Sequence, residues 1–175
     1  ETHDINVNGT TNIFDASVKN HIKKVIYAES SAVYEGSKNL PSKETDVAPK
    51  SVYAISKMTT NDISKKYFKS KGLITTGLRY FNVYGPRQDY RRTIPPVFSA
   101  FIIKLLKGKQ PTIFGDGSKK RDFVYVKDLV EAIIKTIDLK KKFEIINIAS
   151  GVSYSVSEVI QMIQKIKQTN LKINS

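Results

Sequence analysis

Tyr53 and Lys57 stand four residues apart in the stretch Ser51-Val52-Tyr53-Ala54-Ile55-Ser56-Lys57. On a helix that spacing puts two side chains on one face, about 6 Å apart. An ammonium so placed favours the charged form of a neighbouring phenol, which makes Tyr53 a candidate base and Lys57 its activator. A free phenol titrates near 10, and chemistry at neutral pH asks for a shift of roughly 3 units, more than one solvated lysine supplies. A second cation or burial has to help. Tyr and Lys at this interval also occur on ordinary amphipathic helices, so the surrounding elements decide what the pair means.

The pattern predicts a helix from about Val52 to Lys71, with Ile55, Met58, Ile63 and Phe68 as packing positions and Gly72 as its stop. Before it, Ile5, Ile13, Phe14 and Val18 mark the apolar face of a first helix, with Gly9-Thr10 as a smooth patch for close packing. Val25-Ile26-Tyr27-Ala28 is a continuous apolar run, the mark of a strand buried on both faces of a parallel sheet. It delivers Glu29, Ser30 and Ser31 at its C-terminal end, where open α/β sheets hold their ligands. Residues 35 to 51 form a connection long enough to suggest a site wall.

Leu73 to Phe81 reads as a second strand and brings Asn82-Val83-Tyr84-Gly85-Pro86 to the same edge. Ile94-Pro95-Pro96 opens a helix to about Leu106, Thr112-Ile113-Phe114 a short strand, and Arg121 to Val126 leads into a helix ending near Ile137. Ile145 to Ile148 is a further buried strand, and Ser155 or Ser157 caps a last helix from Val156 to about Lys167. Alternating strands and helices predict an α/β fold with a doubly wound parallel sheet.

Composition narrows the chemistry. The absence of cysteine excludes disulfides and thiolate metal sites and fits a reducing, cytoplasmic setting, while only His3 and His21 are available for a histidine cluster or triad, so no metal is expected. No apolar run approaches the ~20 residues that span a bilayer. The net charge of +13 comes from lysines spread along the chain and not packed into a block with aromatics, so nucleic acid is not expected as a partner. The positive field favours anionic small molecules such as sugar nucleotides.

Five stretches, Asn8-Gly9-Thr10, Ser30-Ser31-Ala32-Val33-Tyr34, Tyr53-Ala54-Ile55-Ser56-Lys57, Arg79 to Arg87, and Gly115-Asp116-Gly117 with Arg121-Asp122-Phe123, resemble in order and spacing the extended short-chain dehydrogenase/reductase family. The likeness is greatest to nucleotide-sugar epimerases of the UDP-glucose 4-epimerase type. It implies the later part of a Rossmann-type NAD-binding sheet over residues 1–86 and a smaller α/β substrate-binding part over 87–175, with about 121–150 returning to the sheet. It implies NAD as cofactor, a UDP-hexose as substrate, and a homodimer through the Tyr53 helix and the helix before it.

Carried over by position, Tyr53 is the catalytic base, Ser30 bridges it to the sugar hydroxyl with Ser31 as a helper, and Lys57 holds the nicotinamide ribose. Tyr80 lines the cofactor pocket. Asn82 and Arg121 bind substrate, the guanidinium suiting a diphosphate, and Thr112 and Phe114 flank the uracil. A surface salt bridge is the competing role for Arg121, and core packing competes for Thr112, Phe114 and Tyr80. Dehydratases of the family carry an Asp-Glu pair after the catalytic Thr; Ser31-Ala32 stands here, which favours epimerisation. Decarboxylation of a UDP-uronate and a non-catalytic NAD-binding scaffold are the other readings. Glu29 departs from the small residues common at its place and is expected to change polarity near the nicotinamide. No Gly-x-x-Gly-x-x-Gly occurs, so the chain reads as the central and later portion of a larger enzyme, inactive by itself.

Overall fold

The computed structural model describes residues 1–113 and 115–168. They form two compact units, the first made of Glu1–Phe81 and Leu129–Ile148, the second of Asn82–Asp128 and the chain from Ala149 onward. The chain crosses between them after Phe81, Asp128 and Ile148, where about 86, 121 and 150 were expected. The strand at 121 pairs with elements of the second unit, which keeps it there.

In the first unit, β1 (Lys24–Ser30), β2 (Ile74–Tyr80) and β5 (Phe143–Ile148) form a parallel sheet in the order β1-β2-β5. A π-helical turn, Asp4–Asn8, runs without a break into α1 (Gly9–Lys19). Phe14 is the buried anchor of α1, edge-on to Tyr27 of β1 at 5.7 Å and to Tyr67 at 5.5 Å. Ile13, about 100° round the helix from Phe14, is thereby turned outward, and Ile5 also stays exposed, so the expected apolar face is only partly used. Nothing packs within 4 Å of where a side chain at Gly9 would begin.

Helix α2 (Val52–Lys71) has the expected bounds: Ser51 caps it, accepting from the Ala54 N–H, and Gly72 ends it at φ 69°. Its buried face is only partly the expected one: Phe68 packs on Phe143 of β5 at 6.1 Å, and Met58 and Ile63 are half-buried. Ala54, Ser56, Thr60, Asn61 and Ser64 face inward, while Ile55 is half exposed. Small hydroxyl residues allow close approach because their hydroxyls are satisfied without water: Ser56 donates to the Tyr53 carbonyl and Thr60 to the Lys57 carbonyl within the helix, and Ser64 to Thr75 of β2 across the contact.

On the sheet face that meets α1 and α2, Tyr27, Gly77 and Ile145 lie side by side in register. A methyl group on Gly77 would come within 2.8 Å of the Tyr27 ring, so glycine is required there. Lys24, on the opposite face by strand alternation, reaches the last turn of α4 (Val126–Ile137) and donates to the Thr136, Ile137 and Leu139 carbonyls. An ammonium at those carbonyls offsets the negative helix end. β1 is an edge strand of the described sheet and is only partly buried, not covered on both faces.

In the second unit β4 (Lys120–Tyr125) pairs parallel with β3 (Asn82–Tyr84) and antiparallel with β6 (Ser153–Ser155). The core gathers Phe101 of α3 (Val97–Leu106), Ile113, and Val159 and Ile160 of α5 (Val156–Lys167). Ser155 caps α5 in a reciprocal box with Glu158. Thr112 makes a single bridge and not a strand, and Phe114 lies outside the described residues. No described helix is long and apolar enough to cross a membrane.

Candidate active site

Ser30 and Tyr80 are register partners at the C-terminal ends of β1 and β2, so they project from the same sheet face. Ser30 Oγ accepts from the Ala32 N–H at 3.2 Å and so starts a 3-10 turn, Ser31–Tyr34. Its hydroxyl proton has no acceptor among the described residues. Burial raises the Tyr80 phenol above its ordinary value, as a neutral ring in a half-dry setting should behave.

Tyr53 and Lys57 occupy the first turns of α2 on one face, with the Lys57 ammonium 6.0 Å from the centre of the Tyr53 ring. Lys57 is held by the Ala28 carbonyl, 3.1 Å away and two residues before Ser30. An ammonium has three donors, so this bond leaves two for a ligand. The Tyr53 hydroxyl makes no hydrogen bond to any described residue, and the residue is 44% exposed. One strand end therefore carries Ser30 and also anchors the ammonium that accompanies the phenol.

Asn82, Thr112 and Arg121, the other described substrate candidates, belong to the second unit. Asn82 and Arg121 line one pocket of about 360 Å³, together with Lys119, Gln88, Phe98 and Phe123. Its wall offers two cations and two amides against aromatic rings, and no carboxylate lines it. Asn82 Nδ2 donates to the Asp122 carbonyl, which ties the amide to the strand that bears Arg121. Arg121 forms no ion pair among the described residues; its one bond is to the Lys120 carbonyl. Asp122 turns away to hold Ser150 and Gly151 by their N–H groups. Thr112 is not in this pocket; its hydroxyl accepts from Lys104 at 2.8 Å.

Sequence reading missed a buried polar network in the first unit. Arg79 Nε donates to Glu29 at 2.9 Å, with both side chains almost wholly withdrawn from solvent. Arg79 also donates to the Tyr34 hydroxyl and the Glu44 carbonyl; Tyr34 donates to Asn147, whose own amides bond Glu44 and Ser42. Glu29 thus lies on the same sheet face as Tyr27, with its carboxylate committed to Arg79 and the Tyr27 hydroxyl. Burial raises its carboxyl above the usual range, opposed by Arg79 and by the Tyr27 hydroxyl. The register that sets Glu29 opposite Arg79 is the signal that would have found the pair.

The NAD dependent epimerase/dehydratase family matches residues 1–149, and the chain belongs to that family. A Methanocaldococcus jannaschii protein provisionally named UDP-glucose 4-epimerase is 41% identical over 163 residues, 92% of this chain and 52% of that protein. A Bacillus cytotoxicus UDP-N-acetyl-alpha-D-glucosaminuronate decarboxylase is 39% identical over 183 residues, covering 99% of this chain and 55% of the relative. Among solved structures, a UDP-N-acetylglucosamine 4-epimerase from Methanobrevibacter ruminantium, in complex with UDP-N-acetylmuramic acid, superposes with a TM-score of 0.94 at 36% identity, over 98% of this chain and 55% of that one. The chain spans about half the length of the relatives it matches. The fold is accordingly the Rossmann-type α/β arrangement of NAD-dependent nucleotide-sugar enzymes.

Proposed function

We propose that the full protein is a nucleotide-sugar epimerase that inverts C4 of a UDP-hexose through a transient 4-keto sugar. The observation that carries this reading is the strand end shared by Ser30 and Lys57, with the free Tyr53 hydroxyl one helical turn from that ammonium. Tyr53 takes the proton of the sugar 4-hydroxyl and returns it. Ser30, whose Oγ proton is uncommitted, bridges the sugar oxygen and the phenol, and Ser31 stands next to it as a helper. Lys57 holds a ribose hydroxyl with its two remaining donors. Tyr80, beside Ser30 across the strands, walls the cofactor side. Bound NAD supplies hydride acceptance and return. These groups fit the nicotinamide-ribose end of the dinucleotide, in keeping with the family's cofactor.

Arg121 and Asn82 take the diphosphate end of the substrate, a role supported by the unpaired guanidinium and the carboxylate-free wall. Thr112 and the undescribed Phe114 remain assigned to the uracil. Ser31-Ala32 in place of an acidic pair speaks for oxidation and re-reduction over dehydration. The test is turnover of the full-length protein on UDP-glucose, UDP-N-acetylglucosamine and UDP-glucuronate, with products resolved by NMR. Interconversion of C4 epimers that disappears in Tyr53→Phe is the expected result. Release of carbon dioxide from the uronate would move the assignment to decarboxylation, and bound NAD without turnover would move it to a scaffold.

A further inference from the structure

Glu35 lies just past the 3-10 turn that Ser30 starts, and its carboxylate accepts both the Ser51 N–H, at 2.9 Å, and the Ser51 hydroxyl, at 3.0 Å. Ser51 Oγ in turn accepts from the Ala54 N–H at 3.1 Å, so the same hydroxyl caps α2 and is aimed by Glu35. Tyr53 is the second residue of that helix. The connection between these points is itself pinned. Gly36 N–H bonds the Ala48 carbonyl, Ala48 N–H bonds the Val33 carbonyl, and a Cβ at Gly36 would sit 2.7 Å from the Ala48 oxygen. Farther along, Arg79 and Asn147 hold the Glu44 and Ser42 carbonyls. The stretch 35–51 is a strap fastened at several points.

We propose that Glu35 is a positioning residue for Tyr53, locking the first turn of α2 to the turn that begins at Ser30. The proposal rests on the reading of Tyr53 as the base. Two polar groups that must meet on one sugar oxygen come from separate elements, and the carboxylate joins the turn after one to the cap before the other. Glu35 is exposed, so its bonds add little to global stability, but a displacement of about 1 Å at a reacting group costs on the order of 100-fold in rate.

The experiment compares Glu35→Ala, Glu35→Gln and Tyr53→Phe in the full-length protein. Glu35→Ala is expected to lower kcat about 10-fold, with KM for the nucleotide sugar, bound NAD content and Tm unchanged. Glu35→Gln keeps an acceptor for the Ser51 N–H and is expected to recover most of the loss. Hydrogen exchange at the Ala54 amide should quicken in Glu35→Ala while the rest of α2 stays protected. Wild-type kcat in Glu35→Ala, a loss expressed in KM or NAD content instead of kcat, or no rescue by Gln overturns the proposal. If Tyr53→Phe abolishes turnover and Glu35→Ala does not alter it, only the positioning role falls; if Tyr53→Phe retains turnover, the base assignment falls and takes the positioning role with it.

Discussion

Arg79 and Glu29 face each other across β2 and β1 as register partners and close an ion pair of 2.9 Å that solvent does not reach. A buried charge left without its partner is far costlier than the pair as a whole. Arg79→Met alone should therefore destabilise the protein by about 3–5 kcal/mol, while Glu29→Leu combined with Arg79→Met should recover a large part of that loss. Denaturant unfolding of the four species of the cycle measures it, and additive losses would contradict the pairing.

Gly77 sits between Tyr27 and Ile145 with no space for a methyl group: the nearest atoms would be Ile145 Cδ1 at 2.7 Å and Tyr27 Cζ at 2.8 Å. Overfilling of this kind costs about 1–3 kcal/mol. Gly77→Ala should lower stability by that amount, and pairing it with Tyr27→Leu should return part of it. Thermal unfolding of both variants is the check.

Arg121 enters its pocket free of any carboxylate among the described residues. Hydrogen bonds to a charged group are worth about 1.5–3 kcal/mol, on the order of 10- to 100-fold in binding. Arg121→Ala in the full-length protein should raise KM for the nucleotide sugar by that factor while kcat changes less. A sugar lacking the nucleoside diphosphate should be indifferent to the substitution, and steady-state kinetics on both distinguishes the outcomes.

Tyr67 of α2 donates to Asp15 of α1 at 2.6 Å, and this bond to a carboxylate pushes the phenol up to about 12 from its ordinary 10.0. The protonated phenol is the bonding form. A pKa raised on folding contributes stability that is complete below the unfolded value near 10 and fades as pH rises through about 12. The Tm difference between wild type and Tyr67→Phe should stay constant up to about pH 10 and vanish toward pH 12. A difference that persists unchanged across that window would remove the bond as its source.

Much of the frame was legible because it is local. Helix α2 could be placed from about Val52 to its stop at Gly72, and β1 and β5 from their apolar runs, since stops and periodicity depend only on near neighbours. The interval from Tyr53 to Lys57 likewise follows from helical geometry. The three-residue strands β3 and β6 escaped as strands because their polar residues gain regular structure only from pairing with β4.

What the amino-acid order determined by itself was which groups share a turn: the phenol with its ammonium, the serine at a strand's end, the glycine that stops a helix. Only the tertiary structure decided that Phe14 and not Ile13 turns inward, that Glu29 is held by Arg79, and that Glu35 reaches Ser51. Those choices join residues distant along the chain, and they are settled by strand register and loop closure, which no local pattern encodes.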